Sequence, residues 1–177
     1  RISGAIGHNN AMIHGMAKSL TRLDEVTVES LARAKGFPSK WFLAVIKIAA
    51  RVSHKRPRRV HIILAGDKKM CHLNTVYRNK RKTTDVLSFP ALDVPPRART
   101  LGYSGAHDDL SYLGEIVLCI PQLRRQAREY GVAFKTELTR MTIHGFLHLW
   151  GYDHIKPKEA RIMMPLQEKA LAKFISL

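Results

Sequence analysis

The amino-acid sequence predicts an α+β fold in which helices pack on a small sheet. Four short segments rich in β-branched or apolar residues alternate with segments typical of helices. A long apolar helix that carries two histidines follows the last of these segments. With 177 residues, the chain is long enough to bury a core in one domain without disulfide bonds. The predicted strands are residues 26–30, 60–65, 85–89 and 113–119.

The first two helices are predicted from their N-terminal residues. Ser39 is a candidate N-cap for a helix over residues 40–52, whose apolar positions are spread widely enough to predict burial of most of its surface. Asp67 is a candidate N-cap for a helix that continues through about Tyr77 and places Arg78 at its end. The basic segment between the first helix and the second strand, Arg51 to Arg59, is expected to be a loop.

The second half of the chain predicts three more helices. Pro121 begins one that continues to about Tyr130, with Leu123, Ala127 and Tyr130 as its core-facing side. Residues 91–112 precede these helices, have no apolar periodicity and predict a long loop. The last two helices are predicted over residues 136–150 and 157–174.

The charge of the chain predicts a polyanionic partner. Thirty basic and fourteen acidic residues give a net charge of +16 and an isoelectric point near 10.3. Lys and Arg that neutralise phosphates release counterions, which makes nucleic acid the natural partner; a solvated charged surface is the alternative. Cys71 and Cys119 are too few for a disulfide scaffold and favour a reducing compartment. No run of eighteen apolar residues occurs, so we expect no membrane partner. The motifs present do not indicate a dinucleotide cofactor, and we expect none.

The N-terminal segment differs in composition from the rest of the chain. Residues 1–22 are basic, contain no acidic residue and carry Ser and Gly, as an organellar presequence would. A disordered basic tail and a binding arm are the alternatives. We therefore divide the chain into a basic extension, residues 1–24, and a metal-binding domain, residues 25–177. The expected location is the mitochondrial matrix, with plastid and cytoplasm as alternatives.

Three histidines near the end of the chain predict a zinc site. His144 and His148 are four residues apart and lie on one face of a helix. Gly151 can end that helix in a left-handed conformation and turn His154 back toward the same point. Three imidazoles would hold one Zn²⁺ and leave a fourth position for water, which is typical of a catalytic zinc. The alternative is a chance cluster of core histidines.

The same segment resembles the zinc helix of metzincin proteases, except at one position. Those proteases have a Glu after the first His as general base, whereas this chain has Gly145. Gly145 cannot transfer a proton, so the pattern disfavours a metalloprotease.

Four stretches of the sequence resemble, in order, the motifs of the YbeY family, metal-dependent endoribonucleases that act in ribosomal RNA maturation. Residues 73–78 read L-N-T-V-Y-R, 84–90 read T-D-V-L-S-F-P, 113–118 read L-G-E-I-V-L and 144–154 read H-G-F-L-H-L-W-G-Y-D-H. The resemblance covers roughly residues 25–171. It implies a mixed four-stranded sheet with about five helices, the zinc-binding histidines named above, and a functional arginine at Arg78. It also implies a methionine at Met163, for which a core-filling role is the simpler interpretation.

The basic residues supply candidate RNA contacts. Arg78 is the candidate catalytic residue, because its planar guanidinium suits a phosphate at the transition state. A pairing with Asp85 or with a loop carbonyl is the alternative for Arg78, and Asp153 is either a partner of a metal-binding histidine or a turn aspartate. The candidate RNA-binding residues are Arg78, Lys80, Arg81, Lys82, Arg56, Arg58, Arg59, Arg124 and Arg128.

Two functions compete on these observations. The first is a zinc-dependent single-strand endoribonuclease that acts on ribosomal RNA, in the precursor of the small ribosomal subunit and beside ribosomal or assembly proteins. The second is a non-catalytic assembly factor that binds RNA or ribosomal proteins and keeps the zinc for structure. No general base can be identified from the sequence, and the 2′-hydroxyl of RNA is an alternative internal nucleophile.

Overall fold

The computed structural model describes residues 26–30, 37–91 and 112–177. Within these ranges it has four strands, β1 (Val26–Ser30), β2 (Arg59–Ala65), β3 (Val86–Pro90) and β4 (Tyr112–Cys119). The described residues also form five helices, α1 (Ser39–Val52), α2 (Asp67–Arg78), α3 (Ile120–Glu129), α4 (Phe134–Leu149) and α5 (Pro157–Ile175). The predicted α+β class is confirmed. The predicted extension, residues 1–24, and all but the ends of the predicted loop, residues 91–112, lie outside the described residues.

The four strands form one mixed sheet in the order β1-β2-β4-β3. Strands β1, β2 and β4 are parallel, and β3 runs antiparallel to β4. Ile116 at the middle of β4 pairs with Ile62 of β2 on one side and with Ser88 of β3 on the other. The central strands are apolar nearly throughout because both faces of the sheet are covered.

Alternate residues of β4 enter two different cores. Ile116 and Leu118 face the larger core, which includes buried residues of α1, α4 and α5. Val117 and Cys119 face a smaller core with Met70 of α2. Helix α4 packs on the same sheet face against β3 and β4, and Gly145 in its C-terminal half lies against Ile116 of β4 and Ser88 of β3.

Both predicted N-caps are wrong by one residue. The residue before α1 is Pro38, whose carbonyl accepts from Trp41 N–H at 2.9 Å, so Ser39 is the first helical residue and its side chain makes no cap bond. Gly66 holds the equivalent place before α2, which makes Asp67 the first residue of that helix. The carboxylate of Asp67 pairs instead with Arg125, at 2.6 Å.

Three further expectations need correction. Tyr130 is 57% exposed and follows α3, so it is not part of the core-facing side that Leu123 and Ala127 form. Arg51 belongs to α1 and Arg59 to β2, which shortens the predicted loop at both ends. Helix α1 buries a broad face, but Ala44 is exposed. Among the described residues, no helix combines the length and the apolar character needed to cross a membrane.

Candidate metal centre

The end of helix α4 has the geometry that the sequence predicts. Gly151 has a φ of +80°, in the left-handed region. Its N–H donates to the His148 carbonyl at 2.9 Å, and Tyr152 N–H donates to the Leu147 carbonyl at 3.1 Å. This pair of bonds is a Schellman motif, which satisfies carbonyls at the helix end and reverses the chain. The reversal brings His154 back beside the helix.

Three imidazoles converge at that point. The ring centroids are 4.6 Å apart for His144 and His148, 5.0 Å for His144 and His154, and 5.2 Å for His148 and His154. One nitrogen from each ring lies within 4.8 Å of the others, and the Nε2 atoms of His144 and His148 are 3.1 Å apart. Two nitrogens on one tetrahedral zinc, each at about 2.0–2.1 Å from the ion, are about 3.3 Å apart. The three side chains therefore fit a metal ion.

Burial keeps His144 and His148 in the neutral form that a metal requires. The pKa of His148 is lowered to about 4, first by burial and then by the nearby imidazoles of His144 and His154, against the charge of Asp153 and a hydrogen bond to the Tyr152 backbone. Burial also lowers the pKa of His144, partly offset by its hydrogen bond with Gln167. Neutral imidazoles present a lone pair, so His144 and His148 can bind a cation without first losing a proton.

Arg78 lies in the same cleft as the three histidines. The cleft has a volume of about 600 Å³, and its lining includes Arg78, Tyr130 and Gln126 besides the imidazoles. Helix α2 ends at Arg78 because Asn79 takes a left-handed conformation, with φ of +53°. The buried Asn74 then fixes the following turn, since its side-chain amide donates to the Lys82 carbonyl at 2.7 Å.

Asp85 does not pair with Arg78. Its carboxylate accepts from Thr84 Oγ1 at 3.0 Å, from the Val86 N–H at 2.8 Å and from Gln126 Nε2 at 3.1 Å. Within the described ranges, no ion pair involves Arg78, and its side chain is exposed. The guanidinium is therefore available to a ligand in the cleft.

Comparisons with known proteins identify the family. A family model described as Endoribonuclease YbeY matches residues 29–175. This chain belongs to the YbeY family. An Endoribonuclease YbeY of Thermodesulfovibrio yellowstonii is 35% identical over 145 residues, covering 80% of this chain and 84% of that protein. An Endoribonuclease YbeY of Xanthomonas oryzae pv. oryzae is 36% identical over 162 residues, covering 89% of this chain and 92% of that protein.

A solved structure gives the same result for the fold. The solution structure of the Thermotoga maritima protein TM1509 aligns with a TM-score of 0.56 at 25% identity, and covers 84% of this chain and 88% of that one. The mixed four-stranded sheet, with five helices among the described residues, is thus the fold of this YbeY family member, as the sequence motifs implied.

Sequence reasoning missed one residue of the metal centre of this YbeY chain. Gln167 of α5 is 2% exposed, and its Oε1 lies 2.7 Å from Nδ1 of His144. The available signal was its position one helical turn after Met163, which is fully buried. A polar residue on that buried side of α5 requires a partner. Met163 itself lies in the large core, which agrees with a core-filling role.

Asp153 is a turn aspartate. Its Oδ1 accepts from the His154 N–H at 2.7 Å, and this bond is the main reason that the pKa of Asp153 is lowered. The carboxylate thus orders the turn that carries His154 and forms no hydrogen bond to an imidazole among the described residues.

The predicted basic residues of the YbeY chain fall into separate places. Lys80, Arg81 and Lys82 are exposed on the turn after α2, close in sequence to Arg78. Arg124 lies 4.3 Å from the Phe134 ring centroid. Arg128 donates through Nε to the Arg124 carbonyl at 3.2 Å, so both are on the exposed side of α3, outside the lining of the metal cleft.

The basic residues before β2 lie near a second cleft. Arg56 is exposed, and Arg59 begins β2. Arg58 lines a cleft of about 300 Å³ whose wall also includes Trp150 and His148. Because His148 also lines the metal cleft, the two clefts meet at that residue. Of the predicted cationic RNA contacts, the structure brings only Arg78 and Arg58 to the walls of these two clefts.

Proposed function

We propose that this YbeY family member is a zinc-dependent endoribonuclease that cleaves single-stranded RNA. The observation that carries the proposal is the shared cleft of the three imidazoles and Arg78. Three nitrogen ligands suit zinc and leave one position open, as in catalytic zinc sites. A zinc ion bound there supplies a Lewis acid for a phosphoryl oxygen and lowers the pKa of a bound water toward about 7.

Arg78 has the properties needed to bind the scissile phosphate. It is exposed, stands at the end of α2 and has no carboxylate partner among the described residues. A guanidinium binds two phosphoryl oxygens at once and retains its charge at any physiological pH. Charge held in place near the phosphorus stabilises the transition state more than the ground state.

The second cleft supports a single-stranded substrate. Its described lining contains Arg58 and Trp150 and no acidic residue, and it meets the metal cleft at His148. Proteins that bind single strands combine positive charge along the backbone with aromatic surfaces for the bases. An RNA strand crossing His148 would place its phosphates between Arg78 on one side and Arg58 on the other.

The described lining of the metal cleft offers no unpaired carboxylate as general base. Asp85 is bonded to Thr84, Val86 and Gln126, and Arg140 holds both Glu137 and Glu168. We therefore propose no side chain as the general base. The 2′-hydroxyl of the RNA is the candidate internal nucleophile.

The same observation favours a second candidate function. A metal cleft whose described carboxylates are all paired, in a chain with a net charge of +16, would suit a non-catalytic assembly factor that binds RNA and keeps the metal for structure. The two candidates predict different results for turnover but the same results for binding.

The wider assignment is also a proposal. A net charge of +16 supports ribosomal RNA in the small-subunit precursor as substrate, with ribosomal or assembly proteins nearby. The basic composition of residues 1–22 supports the mitochondrial matrix as location. Microscopy of the full-length protein fused to a fluorescent protein tests the location, and cross-linking to RNA in cells tests the substrate.

Metal content and RNA cleavage measured on one preparation test the function. The wild-type protein is expected to contain about one zinc per chain and to cleave unstructured RNA, and chelation should stop cleavage. His148→Ala should lose both metal and cleavage while still binding RNA. His72→Ala removes an exposed histidine of α2 and is the matched control, expected to behave as wild type.

Two results would decide against the enzyme. If wild-type protein with bound zinc cleaves RNA no faster than the chelated sample, the assembly-factor function is correct. If His148→Ala keeps both its metal and its cleavage, the metal centre is elsewhere.

A further inference from the structure

The two ring nitrogens of His144 have different neighbours. Nε2 points toward the other imidazoles and lies 3.1 Å from Nε2 of His148. Nδ1 lies 2.7 Å from Oε1 of Gln167. A neutral imidazole carries its hydrogen on one nitrogen only, so the partner of Nδ1 decides which nitrogen has a free lone pair.

Glu168 fixes the orientation of the Gln167 side chain. Nε2 of Gln167 donates to Oε1 of Glu168 at 2.9 Å. A carboxylate that is paired with an arginine only accepts hydrogen bonds, so the Gln167 atom facing it must be the NH₂ group. The other amide atom, the oxygen, therefore faces His144. The hydrogen-bond partners of the Gln167 amide thus determine which of its two atoms is the oxygen.

The orientation of the amide in turn fixes His144. An amide oxygen accepts and cannot donate, so Nδ1 of His144 must carry the hydrogen that joins them. Nε2 then has the free lone pair, and it is the nitrogen that faces His148. Glu168 thus determines, through two hydrogen bonds, which nitrogen of His144 can bind a cation.

The network is anchored at its far end. Arg140 donates through Nε to Glu168 Oε1 at 3.3 Å and through a terminal nitrogen to Glu137 Oε2 at 2.7 Å. Glu137 is 1% exposed and Gln167 is 2% exposed, so both side chains depend on these partners for their hydrogen bonds, whereas the Glu168 carboxylate is 52% exposed and is held from one side by Arg140. The amide is held on both sides and has little freedom to rotate.

We propose that Gln167 is a positioning residue that holds His144 in its Nδ1-protonated tautomer, and that Glu168 keeps the Gln167 amide in the orientation this requires. The inference deepens the proposed function, because it concerns the affinity of the same three histidines for metal. Residues that orient metal-binding histidines typically change metal affinity by about 10- to 100-fold when replaced.

Replacement of Gln167 tests the proposal by two readouts. Gln167→Met keeps the length of the side chain but removes the acceptor, and should weaken zinc binding by about 10- to 100-fold in competition with a chromophoric chelator. In the metal-free protein, ¹⁵N NMR of the histidine rings should show Nδ1–H for His144 in wild type and a mixture of tautomers in Gln167→Met.

Gln122→Met is the matched control, because Gln122 is a glutamine of α3 that bonds Arg125 and does not line the metal cleft. Its zinc affinity should equal that of wild type. Glu168→Gln alters an exposed side chain and gives the second variant if Gln167→Met does not fold. The new amide can donate as well as accept, so Gln167 is no longer constrained and zinc binding should weaken.

The outcomes separate this proposal from the proposed function. Unchanged zinc affinity and an unchanged His144 tautomer in folded Gln167→Met, or in Glu168→Gln, would overturn the role of Gln167. If the wild-type protein binds no zinc, the proposed function fails, but the tautomer measured in the metal-free protein still decides whether Gln167 controls His144.

Discussion

Gly145 of helix α4 lies directly against Ile116 of strand β4. A Cβ atom at position 145 would be 2.7 Å from Ile116 Cγ2 and 3.1 Å from Ser88 Oγ. The Ser88 hydroxyl also donates to the Gly145 carbonyl at 3.2 Å, which joins the helix to β3 at the same point. Gly145 occupies the position at which metzincins have the Glu that acts as general base. In this chain that position contacts the sheet, and a side chain there would point into the core.

Gly145→Ala should destabilise the protein although alanine is the better helix former. The methyl group overlaps Ile116 in a packed core, and overpacking of this kind costs about 1–3 kcal/mol. The gain from helix propensity, about 1 kcal/mol, does not offset the upper part of that range. Urea unfolding should therefore show a lower free energy of unfolding than wild type.

Gly66→Ala is the control for Gly145→Ala, since a Cβ at position 66 meets no atom within 4 Å. We expect a change of less than about 1 kcal/mol for it, which is the size of an N-cap effect. If Gly145→Ala is as stable as wild type, close packing against Ile116 does not explain why position 145 lacks a glutamate.

The positions of the strands and helices were predictable because their signals are local. β4 is apolar apart from Gly114 and Glu115, and the Gly151 turn follows from one residue that tolerates a positive φ. The errors at Ser39 and Asp67 are of one residue, because several capping arrangements fit the same sequence.

The site was predictable only in part, because some of its contacts depend on tertiary packing. His144, His148 and His154 are within eleven residues of each other, so one helix and one turn bring them together. Gln167 reaches His144 from α5, twenty-three residues further along the chain, and no local pattern specifies how that helix packs. The role of Arg78 is predicted from the resemblance to the family motif at residues 73–78. Its large separation from the histidines in the sequence gives no information about their distance in space.

Arg78→Ala should reduce RNA cleavage by about 100-fold without changing the zinc content. The expected size is that of removing one donor aimed at a developing negative charge. Arg78→Lys should recover part of the rate, because the charge remains but the two-pronged geometry is lost. Single-turnover cleavage rates measured beside the metal content of each variant give the comparison.

Arg161→Ala is the matched control for Arg78→Ala, since it removes an exposed arginine from α5. Its cleavage rate should stay close to that of wild type. Equal losses in the two variants would mean that overall charge, and not the placement of Arg78, supports cleavage.

The ion pair between Asp67 and Arg125 should make stability depend on pH. The hydrogen bonds from Arg125 hold the pKa of Asp67 below its ordinary value. A carboxyl whose pKa is lower in the folded state stabilises the fold above its unfolded pKa of about 4, and loses that effect as the pH falls toward the folded value. Both side chains are nearly half exposed, 43% and 48%, so solvent limits the contribution to about 1 kcal/mol or less.

Asp67→Asn should therefore lower the free energy of unfolding at pH 7 and have a smaller effect near pH 3. Urea titrations of both proteins across this range measure the difference. In an Arg125→Gln background the pH-dependent effect of Asp67→Asn should be smaller. A difference between wild type and Asp67→Asn that stays constant from pH 7 to pH 3 would argue against the ion pair as its cause.

The turn after α2 should contribute to RNA binding through its charge. Lys80, Arg81 and Lys82 are exposed and directly follow Arg78, and the Asn74 side chain holds the backbone of this turn by its bond to the Lys82 carbonyl. If each of the three contacts one phosphate of a single strand, replacing all three by Ala should reduce the slope of log affinity against log salt by about 2.

Fluorescence anisotropy with unstructured RNA at several salt concentrations measures that slope. The control is the triple variant Lys158→Ala, Lys169→Ala, Lys173→Ala, which removes equal charge from exposed positions of α5. A slope that changes equally in both triple variants would show that RNA responds to net charge alone, whereas a change confined to the first would place the strand along the turn that leads to Arg78.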